Sequence, residues 1–126
     1  MNGLGILVAD KDTAFLREVA EHFSDAGYHV ETTNSAVHVI STILEKQTPV
    51  VLLGSDFDNK INLLELVRLL KKCNRHLAVI LVSDKASLPV VKRIRAEGIF
   101  YYALRPVNPE RLNELKHAVE SAFKAA

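Results

Sequence analysis

Pro49-Val50-Val51-Leu52-Leu53-Gly54 decides the fold of this 126-residue chain. A proline stops the helix before it, and four apolar residues follow with no polar alternation, the pattern of a strand buried on both faces. Outward from this strand the chain alternates between short apolar runs and longer helical periods. Upstream, Leu4–Ala9 is a second such run, followed by Asp12 as an N-cap and by Phe15, Leu16, Val19 and Phe23 at helical spacing up to Gly27. Tyr28–Thr33 is more polar and reads as an edge strand. Ser35 then caps a helix expected to turn Val37, Ile40, Ile43 and Leu44 inward. Downstream of a polar loop over Gly54–Ile61, Asn62 and Glu65 form a capping box for a helix buried through Leu63, Leu66, Val67 and Leu70. Leu77–Val82 is the fourth strand. Ser87 opens a helix through Val90, Val91 and Ile94 that ends at Gly98, and Ile99–Leu104 is the fifth strand. Asn108-Pro109 starts a last helix through Leu112, Leu115, Val119 and Phe123. Five β-α units without repeat or linker require a parallel sheet with helices on both faces.

Composition narrows the class. The length suits one domain spanning 1–126 with its own core. One cysteine, Cys73, excludes a disulfide framework and a cysteine-based zinc site, and points to the cytoplasm. No apolar run is long enough to span a bilayer, so no membrane association is expected. A net charge of +1 argues against a basic nucleic-acid binder. The charge is uneven: residues 1–63 carry four Lys/Arg against nine Asp/Glu, and residues 64–126 carry twelve against six. Gly3-Leu4-Gly5 precedes a strand instead of following one, so it is not a dinucleotide loop.

In a sheet of this kind ligands gather beyond the carboxyl ends of the strands. That edge collects Asp10, Lys11 and Asp12, then Gly54, Ser55 and Asp56, then Ser83 and Asp84, and finally Arg105 and Pro106. With these residues in place the chain resembles the receiver domains of two-component response regulators. The resemblance runs through Ile6–Asp12, Gly27–Val30, Pro49–Ser55, Leu64–Arg68, Val79–Ser83, Gly98–Tyr102 and Arg105-Pro106. It implies a flavodoxin-like (βα)5 α/β fold with strand order 2-1-3-4-5. It also implies a role in signal transduction, as the N-terminal unit of a longer regulator or as a free-standing protein.

The family's pocket holds Mg²⁺ with an acidic pair after strand one and accepts phosphate on an aspartate after strand three. A Thr or Ser after strand four and a Lys-Pro after strand five contact the phosphoryl oxygens. Here Asp10 matches the first acid, Lys11 stands at the second, Ser55 at the phosphoacceptor, Ser83 at the Thr/Ser and Arg105 at the lysine. The usual sum near −2 becomes about +1, which opposes a hard divalent cation. Serine without a base is also a weak nucleophile. Weak or absent Mg²⁺ binding and no catalysis are therefore expected, with function through protein–protein contact or dimerisation. Two alternatives stay open. Asp56, with Asp10 and Asp12, could replace the acceptor if Gly54 permits a bulge, although Asp12 is better explained as a helix cap. An anion or small ligand could instead sit among Lys11, Ser55, Ser83 and Arg105.

Tyr102 stands where the family carries a switching aromatic residue, and a fixed packing or interface role is expected of it. The family's usual contact face for dimers and partners corresponds to Lys92, Arg93, Arg95, Phe100, Tyr101 and Arg111, whose arginines and aromatics suit an interface. Arg68, Lys71, Lys72, Arg75 and His76 cluster at the end of the third helix, where cations meet its negative terminus.

Overall fold

The computed structural model describes residues 5–46, 48–54, 63–83, 92, 95, 96, 98–104 and 109–125. Five strands, β1 (Gly5–Ala9), β2 (His29–Thr33), β3 (Val50–Gly54), β4 (Ala78–Ser83) and β5 (Tyr101–Leu104), form one sheet in the order β2-β1-β3-β4-β5. Every pairing is parallel. The helices are α1 (Thr13–Asp25), α2 (Ala36–Lys46), α3 (Leu63–Cys73) and α4 (Pro109–Ala125). The helix expected from Ser87 lies largely outside the described residues, as do Asn62 and Asn108. Gly98, at its expected end, has φ of +95° and donates its N–H to the Arg95 carbonyl at 3.0 Å.

The unbroken apolar runs have a direct cause. Successive side chains on a strand point to opposite faces. Ile6, Val8, Val50, Leu52, Ile80 and Val82 enter a core with α1 and α4, whereas Leu7, Ala9, Val51, Leu53, Val79 and Leu81 enter a second core with α2 and α3. A strand buried on both sides has no position left for alternation. β2 lies at the sheet edge and is accordingly the more polar strand.

α1 begins and ends as its sequence demands. Asp12 Oδ1 accepts the N–H groups of Ala14 and Phe15 at 3.0 and 3.2 Å. Gly27 follows the helix with φ of +96°, a left-handed conformation that side-chain-bearing residues rarely take. Ser35 Oγ accepts the His38 N–H at 3.3 Å and caps α2.

α2 itself departs from expectation. Ala36, Val39 and Ile43 are buried and Ile40 is partly buried, whereas Val37 is 73% and Leu44 57% exposed. The helix carries two apolar stripes one residue apart, a rotation of about 100°. The stripe through Ala36, Val39 and Ile43 faces the sheet. Val37 and Leu44 therefore belong to the outer surface.

Candidate functional site

The carboxyl edge of the sheet is built by the parallel register. Ala9 pairs with Leu53 and with Thr33, Gly54 with Val82, and Ser83 with Leu104, so residues that follow β1, β3 and β4 come level with one another. Asp10 extends the row of Ile6 and Val8, and Gly54 extends the row of Val50 and Leu52, which puts both on the α1–α4 side of the sheet. Ser83 extends the row of Val79 and Leu81 on the other side.

Asp10 is the most enclosed of the predicted pocket residues that the structure describes, 1% exposed. Its N–H donates to the Thr33 carbonyl at 3.1 Å, tying the end of β1 to the end of β2. Its Oδ1 accepts the Asp12 N–H at 3.0 Å. Asp12 in turn spends its own carboxylate on the first turn of α1. The carboxyl group of Asp10 also lies directly over Gly54. A Cβ at that glycine would come within 2.8 Å of Asp10 Cγ and would overlap Oδ2.

Lys11 is exposed, and Ser83 is buried at the end of β4. Ser55, Asp56, Arg93, Arg105 and Pro106 lie outside the described residues, so the structure brings together Asp10, Asp12 and Gly54 from the predicted edge and places Ser83 at the neighbouring strand end. Among the described residues, no three His, Cys, Asp or Glu side chains group as a metal site requires.

Tyr102 is half-buried and packs against the core formed with α2 and α3. One residue earlier, Tyr101 is 45% exposed, and Phe100 is 39% exposed. Lys92, Arg95 and Arg111 are exposed as well. A shallow hollow lined by Phe100, Tyr101, Glu114, His117, Ala118 and Ser121 runs between the β5 edge and α4, with a volume of about 270 Å³. At the opposite end of the sheet, Lys71 Nζ donates to the Leu77 carbonyl at 2.9 Å, and burial pulls its pKa down. That lysine joins α3 to the residue that leads into β4, which is a structural use for one member of the basic cluster.

The reading from sequence placed Gly54 at this edge but in a loop, and missed that it closes β3 beneath the Asp10 carboxylate. The signal was a glycine closing an apolar strand, where it often marks a close approach of another group. It missed Thr33 too, whose buried hydroxyl accepts the Ser35 N–H at 3.1 Å and braces the turn beside Asp10.

The model of the response regulator receiver domain matches residues 6–117. The chain belongs to the response regulator receiver domain family. A CheY-like receiver domain protein of Methanospirillum hungatei is similar over 99% of this chain and 100% of its own, with 25% identity and a TM-score of 0.85. A receiver domain protein of Clostridium thermocellum shares 24% identity over 96% of this chain and 94% of its own, also at a TM-score of 0.85. The chemotaxis response regulator CheY4 of Vibrio cholerae shares 18% identity over 93% of this chain and 99% of its own, at a TM-score of 0.81, a likeness of fold. No curated protein sequence matches the chain. This is a flavodoxin-like receiver domain of two-component signalling, and no helix among its described residues is long and apolar enough to cross a membrane.

Proposed function

We propose that this receiver domain signals without aspartyl phosphorylation, through contact with a protein partner or with a second copy of itself. The state of the acids carries this reading. Asp10 is turned inward over Gly54 and bonded to the Asp12 N–H, and Asp12 caps α1. Lys11 occupies the position of the second metal acid and Ser55 that of the phosphoacceptor. A hard divalent cation seeks several anionic oxygens at close range. This donor set offers one withdrawn carboxylate beside a lysine, and it does not fit Mg²⁺. Without such a cation the charge of a transferring phosphoryl group meets no counter-charge of the kind that transfer requires.

The exposed Phe100 and Tyr101, which line the hollow against α4, together with the exposed Lys92, Arg95 and Arg111, support an interaction surface at the β5–α4 side. Aromatic and arginine side chains are enriched where protein interfaces form. Incubation with acetyl phosphate and Mg²⁺ followed by intact mass measurement tests the proposal. The expected spectrum shows the unmodified chain alone. A labile phosphoryl adduct mapped to Asp56 would establish the shifted-acceptor reading instead. Thermal melting with millimolar inorganic phosphate addresses the remaining reading, an anion held by Lys11, Ser55, Ser83 and Arg105, and no stabilisation is expected.

A further inference from the structure

We infer that Gly54 is a positioning residue for Asp10: its missing side chain makes the space in which the acid's carboxylate lies against β3, withdrawn from the mouth of the pocket. The inference rests on the proposed phosphorylation-independent reading and gives it a cause within the strand, separate from the changes at positions 11 and 55.

The backbone does not demand glycine here. Gly27 and Gly98 are the described glycines with positive φ, and each follows a helical segment; Gly54 has no such conformation and sits in regular pairing with Val82. A glycine in a fully buried strand gives up side-chain packing and loosens the chain, so some other gain must hold it there. Space is that gain. A Cβ at position 54 would stand 2.8 Å from Asp10 Cγ and closer still to Oδ2, and real Cβ atoms essentially never approach below 3.0 Å. Any other residue at 54 therefore excludes the observed carboxylate position. The next neighbour, the Ala9 carbonyl oxygen, lies at 3.3 Å, a contact that small shifts can relieve.

The withdrawn position is also chemically furnished. Asp10 Oδ1 takes the Asp12 N–H, so the buried carboxylate has a donor where it lies, and the bond locks the β1–α1 turn. Gly54, Asp10 and Asp12 form one continuous line from the end of β3 to the first turn of α1. Putting acids back at positions 11 and 55 leaves that line intact, and so leaves the third acid turned away.

Two measurements test this. The first is a double-mutant cycle read by urea unfolding on the full chain. Gly54→Ala is expected to lower the unfolding midpoint measurably in the natural background and by less than a third as much in an Asp10→Ala background. An equal loss in both backgrounds, or failure of Gly54→Ala to fold in both, would overturn the inference, because the obstruction would then not be Asp10. Should Gly54→Ala fold only when Asp10 is also alanine, the coupling is demonstrated directly. The second measurement compares Mg²⁺ binding by the Lys11→Asp/Ser55→Asp variant with and without Gly54→Ala, titrated by calorimetry. At least threefold tighter Mg²⁺ binding with alanine at 54 is expected, and equal affinity would count against withdrawal. A phosphoryl adduct on the natural chain would defeat the functional proposal and leave the Gly54–Asp10 coupling standing, so the two failures are distinguishable.

Discussion

Asp12 separates a structural from a chemical use of the same carboxylate. Its Oδ1 accepts two N–H groups at the start of α1, from Ala14 and Phe15, and its own carbonyl accepts the Leu16 N–H at 3.0 Å. An N-cap aspartate replaced by alanine costs roughly 0.5–2 kcal/mol, typically about 1. Part of that cost is the interaction of its charge with the helix terminus, about 0.3–1 kcal/mol at an exposed site. Asp12→Ala is therefore expected to lose about 1–2 kcal/mol. Asp12→Asn keeps the accepting oxygen and drops the charge, so it should lose well under half as much. For a domain of this size, about 1 kcal/mol corresponds to a few degrees in melting temperature. Thermal and urea unfolding of the three proteins, each with and without 10 mM-scale Mg²⁺ (roughly the excess that would reveal a weak site), give the comparison. The expected order is natural chain, then asparagine, then alanine, with no change on adding Mg²⁺. The reasoning fails if Asp12→Ala is neutral, or if Mg²⁺ stabilises the natural chain and that effect disappears in Asp12→Ala. In the second case the carboxylate would be a metal ligand.

Other consequences are as direct. Val39 is fully buried on the sheet-facing side of α2 and Val37 faces outward, so Val39→Ala should cost about 2 kcal/mol and Val37→Ala less than about 0.5 kcal/mol in urea unfolding. Gly27→Ala should cost about 1–2 kcal/mol although a Cβ there meets nothing within 4 Å, because the penalty lies in the left-handed backbone alone. Burial raises the Tyr28 pKa above the ordinary 10.0, with the Glu120 carboxylate adding to the effect. Above pH 10 the unfolded chain therefore loses this proton first, and stability falls as pH rises from 10 through the folded-state value. Tyr28→Phe should flatten that part of a stability–pH curve measured by urea unfolding.

Much of the architecture was legible because local chemistry and tertiary demand coincide. A parallel strand covered on both faces is apolar along its length, and β1, β3 and β4 are written that way up to the Ser83 that ends β4. Asp12, Ser35 and Gly27 act within a few residues of themselves, so their roles were readable without knowing what packs above them. The order of acids, serines and cations at the strand ends likewise carried the family resemblance, since each follows its strand in sequence.

α2 and Gly54 show where such reading stops. In Ala36–Lys46 two adjoining stripes both satisfy helical periodicity and share Ile40 and Ile43, so the rotation of the helix about its axis is undetermined locally. The choice falls to the sheet, whose second core receives Ala36, Val39 and Ile43. Gly54 is equally silent on its own, because its meaning depends on a carboxylate forty-four positions earlier in the chain. The strands, the caps at Asp12 and Ser35 and the stop at Gly27 could be read from the chain alone, because each depends on neighbours along it. Only the tertiary structure decided which face of α2 is buried and that Asp10 lies over β3, because both are settled by the volume left between elements brought together by folding.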